Sequence, residues 1–239
     1  MTDEKKKHFF LKNLLWGFGL AAFLVLTAAA VLVALALHKP KGYQYAEKVT
    51  ENQQVSEYLT HYLAPHVHNN IQFDVPFRVI VPQDGINEII AEDNLFGLEW
   101  PVELSIASFS TPSAYFMPNA IYLMGTVEVL GLDILVMICA NPILDEEGLL
   151  RLNIEYVRAG ALDISLLAKG LAEKFIADEL EDQDNYWLKD IEGAICENKP
   201  FEPVFPTIYD REIRLIESNI SEGELVLVFE PEKQDNNRH

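Results

Sequence analysis

The stretch Thr126–Ala140 reads TVEVLGLDILVMICA, and its punctuation decides the fold class. Gly131 makes a turn between Thr126–Leu130 and Leu132–Ala140, and the second run is apolar on both faces, as expected of a central strand. Upstream, Val102, Leu104 and Ile106 alternate with Glu103 and Ser105, and Tyr115–Met124 follows, broken by Pro118-Asn119 and Gly125. Further upstream, Phe73, Val75, Phe77, Val79 and Val81 alternate as one strand face, while Pro76 and Pro82 restrict that strand to an edge or an irregular position. Between them, Asp84-Gly85 opens a short helix, Ile86–Glu92. Downstream, Asn141-Pro142 and Asp145–Gly148 turn into Leu149–Val157. A break at Gly160 precedes a helix capped by Asp163 or Ser165, with the stripe Leu167, Leu171, Phe175 and Ile176. Tyr186–Glu197 reads as a second helix, and Glu212–Ile216 and Glu224–Phe229 as strands joined at Ser221-Glu222-Gly223. Strands joined by short turns, with a few helices against them, make an antiparallel α+β domain.

The N-terminal region is of another kind. Leu14–Leu37 is 24 residues without a charged side chain, which as a helix would extend roughly 36 Å against a hydrocarbon core of about 30 Å. A soluble core helix would carry a polar face. Ala34-Leu35-Ala36 resembles a signal-peptidase site, but the run exceeds the usual 7–15 residues, so an uncleaved signal anchor is expected, with cleavage the competing reading. Lys5, Lys6, Lys7 and Lys12 before the run, against Lys39 and Lys41 after it, place the N-terminus in the cytoplasm and the remainder outside a bacterial cell membrane. A helix within Tyr43–Leu63 ends before Pro65. The expected organisation is a cytoplasmic N-terminus (1–13), a transmembrane helix (14–37), a juxtamembrane linker and helix (38–63), an extracytoplasmic domain (64–231) and a disordered tail (232–239).

Charge and motif content exclude several classes. The chain has 37 acidic and 18 basic residues, a net charge of −19, and its basic residues are not clustered after the apolar run. Nucleic acid is therefore not a partner, because phosphate binding needs grouped Lys and Arg, and the domain is not expected to lie flat on anionic lipid. The two cysteines, Cys139 and Cys196, do not make a disulfide framework, although they could pair in an oxidising compartment. His61, His66 and His68 are the metal-ligand candidates, but Pro65 separates the first from the pair, and no Cys or neighbouring carboxylate completes a set. The acidic run Asp178–Asp184 lacks the spacing of a calcium loop. There is no zinc-protease motif, nucleophile elbow or glycine-rich phosphate loop, so neither an enzyme nor a cofactor is expected.

Leu123-Met124-Gly125-Thr126-Val127, Gly131, Pro142, Gly148-Leu149-Leu150 and Gly160–Ile164 before a helix resemble the YpmS-like family, as does Ile86-Asn87 within Gly85–Ile90. These are bacterial proteins with one N-terminal span and an extracytoplasmic domain. More distantly the pattern resembles the tubular lipid-binding (TULIP-like) fold. That resemblance implies a curved antiparallel sheet packed around one long helix, with a lipid or other hydrophobic ligand in an apolar groove. The groove candidates are Val127, Val129, Ile134, Val136, Ile138, Leu152 and Ile154 on strands, with Leu167, Leu171 and Phe175 on the helix. The same residues would serve as a filled core. Three functions compete: a membrane-attached, non-enzymatic lipid-binding or lipid-transfer module, a cell-envelope scaffold recruiting a protein partner, and an extracytoplasmic hydrolase or metalloprotein.

Overall fold

The computed structural model of the chain describes residues 23–38, 56–91, 102–104, 107–129, 131–170, 193–195, 197–207 and 211–232. Its helices are α1 (residues 23–36), α2 (Tyr58–Asn70, a π-helical Tyr58–Leu63 running into Ala64–Asn70), α3 (Gln83–Ile90) and α4 (residues 165–170), with a helical piece at residues 193–195. The strands are β1 (Phe77–Pro82), β2 (Val102–Leu104), β3 (Ala107–Met117), β4 (Ala120–Val129), β5 (Leu132–Ala140), β6 (Ile143–Leu144), β7 (Leu150–Arg151), β8 (Ile154–Ala159), β9 (Leu162–Asp163), β10 (Val204–Pro206), β11 (Glu212–Ser221) and β12 (Glu224–Pro231). A six-stranded sheet has the order β2-β3-β4-β5-β8-β9, a four-stranded sheet the order β1-β12-β11-β10, and β6-β7 form a small hairpin. Every strand pairing is antiparallel.

The central strand lies where its apolar pattern requires, as β5 between β4 and β8. Gly125 does not interrupt β4, since it pairs with Val136 inside the ladder. The break falls at Pro118-Asn119, where Asn119 takes a φ of 64° and turns β3 into β4. Pro112 sits at the irregularity between Ser110 and Ser113, the kind of position a residue without an N–H tolerates. The prolines around β1 likewise leave it at a sheet edge.

Two helices close exposed sheet edges with side chains. On β1, the Arg78 carbonyl accepts from His66 Nε2 at 2.7 Å and the Ile80 carbonyl from Tyr58 Oη at 2.8 Å, both from α2. On β3, beyond the short β2, Asn87 of α3 pairs with both backbone groups of Ala114. Ala114 N donates to Oδ1 at 2.6 Å, and Nδ2 donates to Ala114 O at 2.8 Å. One helical turn earlier, Gln83 Oε1 accepts from Phe116 N at 3.0 Å. Unpaired strand edges are sticky and their buried polar groups costly, so these contacts both satisfy and terminate the sheets. The helices are joined in turn by Glu88, whose Oε1 accepts from Ser56 Oγ and Tyr58 N, each at 3.0 Å. The Tyr58 ring lies so close to Gly85 that a Cβ there would be 2.8 Å from ring carbons.

Among the described residues the core has two centres. Ile71, Phe77, Val79, Val81 and Ile213 are buried between α2 and the four-stranded sheet, with Tyr58, Leu63, Val67, Phe205 and Phe229 against them. Ala114, Phe116 and Ile220 form the second centre under Ile86, Ile90, Ile121 and Leu225, and join the two sheets.

The structure corrects the expected fold. Among the described residues no helix is long and apolar enough to cross a membrane. The described part of Leu14–Leu37 is α1, about 21 Å at 1.5 Å per residue, with residues 14–22 outside the described set. Among the described residues there is also no long helix wrapped by a curved sheet. The covering role at the Phe116 end falls instead to α3 and the β11–β12 pair, because β11 and β12 extend beyond the lengths expected from their apolar alternation and bring Ile220 and Leu225 onto β3. α4 begins on the outside, with Leu166 91% and Leu167 63% exposed. α2 runs through Pro65 rather than ending before it. The preceding π-turn, in which Ala64 N bonds to Leu59 O, widens the helix just where proline lacks a donor. Its residues Tyr58 and Leu63 belong to the domain core rather than to a linker. At the far end Glu232 is held, its N–H on Glu212 O at 2.9 Å and its carboxylate on Arg214 Nε at 2.6 Å.

Candidate functional site

Register sorts the candidate residues onto faces, because directly opposite residues of an antiparallel pair share one face. Val127 lies opposite Ile134, Val129 opposite Leu132, Gly125 opposite Val136 and Leu123 opposite Ile138. β8 continues the rows with Ala159 beside Val136 and Val157 beside Ile138. The irregularity after Cys139 turns Ile154 to the same face, opposite Ala140. The result is one apolar face across three strands that carries six of the ten candidates: Val127, Val129, Ile134, Val136, Ile138 and Ile154. These six are half-buried, and Leu123 and Leu132 on the same face are 44% and 42% exposed. Leu152 is half-buried in the β7–β8 connection. Leu167 stands exposed on α4, and Leu171 and Phe175 lie outside the described residues.

The opposite face mixes polar groups with apolar side chains, Met124 and Leu135 buried among them. Glu128 faces Asp133, and Arg158 lies beside Met137. Tyr115, Tyr122, Cys139 and Tyr156 form a row across β3, β4, β5 and β8. Tyr122 is held well above the ordinary phenol range, first by its hydrogen bond with Tyr156 and then by burial. Cys139 is a free thiol, 1% exposed, whose Sγ donates to Glu155 Oε2 at 3.7 Å. Burial is the largest influence on that thiol and pushes it upward, which keeps it protonated and disfavours a nucleophilic role. Arg158 lies 4.3 Å from the centre of the Tyr156 ring.

The histidines do not converge. His66 donates Nε2–H to Arg78 O, since a carbonyl can only accept. His61 contacts Thr60 Oγ1 at 3.4 Å and His68 contacts the Gln72 amide at 3.2 Å. Among the described residues no group of three or more His, Cys, Asp or Glu could hold a metal ion. A concavity of about 340 Å³ lies on the outer face of the four-stranded sheet, lined by Arg78, Glu217, Asn219, Ser221, Glu224, Val226 and Val228. It includes none of the groove candidates and joins no nucleophile to a base. Sequence reasoning missed the edge-closing amides Gln83 and Asn87. The only signal was the amide spacing, i and i+4 on a short helix.

No protein-family model, curated protein or solved structure matches the chain. The YpmS-like resemblance therefore rests on the quoted residues alone.

Proposed function

We propose that this chain is a non-enzymatic binding module, held at a lipid membrane through Leu14–Leu37, that takes a lipid acyl chain or comparable hydrophobic ligand on the apolar face of its six-stranded sheet. The expected location, the outer side of a bacterial cell membrane, is part of this proposal. One observation carries the ligand reading. Over β4 and β5 the face formed by Leu123, Val127, Ile134, Val136 and Ile138 has no charged residue, while Glu128 and Asp133 lie on the other. Ligand sites for hydrophobic molecules are lined mainly by such side chains. Membrane attachment draws on α1, whose Phe23, Leu24, Val25 and Leu26 are 59–70% exposed in a segment without charge.

The test uses the full chain in phosphatidylcholine nanodiscs doped with a lipid carrying a photoreactive group on its acyl chain. After irradiation, lipid adducts are mapped by peptide mass spectrometry. Adducts on Ile121–Ile138 are expected, together with adducts on Leu14–Leu37. Adducts confined to Leu14–Leu37 would leave membrane attachment standing and overturn the lipid site. In membranes, protein crosslinks on the same strands in place of lipid adducts would favour the envelope scaffold.

A further inference from the structure

We propose that Leu166 and Leu167 of α4 enter the same lipid surface that receives α1, giving the domain a second membrane contact that sets its orientation. This rests on the membrane attachment argued above and adds the surface of the domain that meets the lipid.

α1 touches the domain only near its C-terminal end. Every residue of 23–38 is exposed except Ala36, which is half-buried. There the Leu35 carbonyl accepts from Ala161 N at 2.9 Å, while Gly160 N donates to Leu135 O at 2.8 Å. Gly160 takes a φ of +57°, and a Cβ on it would collide with the carbonyl oxygens of Leu35 and Ala36. The β8–β9 turn is thus a fitted seat for the end of an otherwise projecting apolar helix. A lipid surface that takes up α1 ends close to this seat.

The adjoining chain suits that position. β9 and Ile164 are all that separate the turn from α4, four steps from Ala161 to Ser165, so at about 3.4 Å per residue α4 begins within roughly 14 Å of the turn. Ile164 N on Val157 O at 2.8 Å and Val157 N on Ser165 Oγ at 2.9 Å fix that start against β8. The next two residues, Leu166 at 91% and Leu167 at 63%, are the most exposed pair of adjacent leucines in the described part of the domain. A strand-anchored first turn holds these consecutive leucines outward, and among the described residues nothing covers them. Lys169, exposed one turn beyond Leu166, has a stem long enough to lie along lipid with its ammonium in the headgroup layer. Glu128 and Asp133 at the same end of the sheet, and the chain's net charge of −19, select a zwitterionic over an anionic surface.

The experiment uses the full chain in phosphatidylcholine nanodiscs, in a background with Cys139→Ala and Cys196→Ala. An environment-sensitive fluorophore is attached in turn at Leu166→Cys, Phe23→Cys and Glu222→Cys, the last in the β11–β12 turn. Quenching by lipids with a shallow nitroxide is then compared. Strong quenching is expected at 166, at a depth of roughly 5–10 Å, with quenching at 23 and none at 222. Quenching at 23 without quenching at 166 would overturn this contact and leave membrane attachment intact. No quenching at either site would overturn both. All three sites are exposed, so labelling does not disturb the core.

Discussion

Removing the Asn87 side chain tests whether α3 holds the two sheets together. Its amide satisfies the N–H and C=O of Ala114 at 2.6 and 2.8 Å, and Ala114 is only 4% exposed. Asn87→Ala leaves both backbone groups without that partner at a buried edge. An unsatisfied buried group costs about 1–3 kcal/mol, and partial access of water to the vacated space lowers the sum, so a loss of about 2–4 kcal/mol is expected. For a chain of this size each kcal/mol lowers Tm by roughly 2–4 °C. The assay is urea unfolding of the full chain in mild detergent, followed by circular dichroism. Asn87→Asp separates the two bonds. A carboxylate still accepts from Ala114 N but sets a second acceptor against Ala114 O, so this variant is destabilised at neutral pH. Its folded-state pKa is raised, so stability returns as pH falls and the protonated acid donates. A loss below about 0.5 kcal/mol for Asn87→Ala, with Asn87→Asp indifferent to pH, would refute the edge-closing role.

Three further outcomes follow from the geometry. Gly85→Ala forces a methyl group against the Tyr58 ring and costs about 1–3 kcal/mol in the same unfolding assay; an unchanged midpoint would contradict the close packing of α2 on α3. The Asp163 carboxylate accepts from Ser165 Oγ at 2.6 Å and Ser165 N at 2.9 Å, which lowers its pKa below the ordinary 3.8. Its contribution is therefore complete above that value and is lost as pH falls through the lower folded value; Asp163→Asn should flatten the acid limb of the stability profile, and an unaltered limb would count against the cap. In a Cys196→Ser background, Cys139 should resist a thiol-specific chromogenic reagent in the folded chain and react in denaturant; rapid reaction in the native state would contradict its burial.

The parts of the fold legible in sequence are those set by short-range pattern. Leu132–Ala140 reads as a central strand because it is apolar on both faces, and its pairing on both sides gives that pattern its cause. Pro118-Asn119 marks a turn because Asn tolerates the positive φ found there. Gly125 misleads, because a glycine inside a strand looks like a break until its partner Val136 is known. Pro65 misleads in the same way, since a π-turn depends on backbone geometry that residue identity does not announce. The second sheet was harder to foresee. β1 and β12 pair across a sequence separation of about 150 residues, and no local period encodes such a contact. The candidate site divides likewise: the shared face of Val127, Val129, Ile134, Val136 and Ile138 follows from alternation within two adjacent strands. Leu167 stands exposed on α4, and the rest of its stripe, Leu171, Phe175 and Ile176, lies outside the described residues.

That division bears on the choice between ligand face and ordinary core. Single exposed leucines are common on soluble proteins and need no explanation, so Leu123 at 44% or Leu132 at 42% would carry little alone. Contiguity is the informative property. Over β4 and β5 this face sets Ile121, Leu123, Gly125, Val127 and Val129 opposite Ala140, Ile138, Val136, Ile134 and Leu132, and both charged residues of these strands lie on the other side. A face used only for packing would be closed along its length, as it is at Phe116, which is 2% exposed beneath Ile90 and Leu225. A catalytic face would converge polar groups, yet the titratable row Tyr122, Cys139 and Tyr156 sits on the opposite side with its thiol and phenol held protonated. The uncharged, contiguous face over β4 and β5 is what the proposed hydrophobic ligand rests on, and the photoreactive lipid is the probe that tests it.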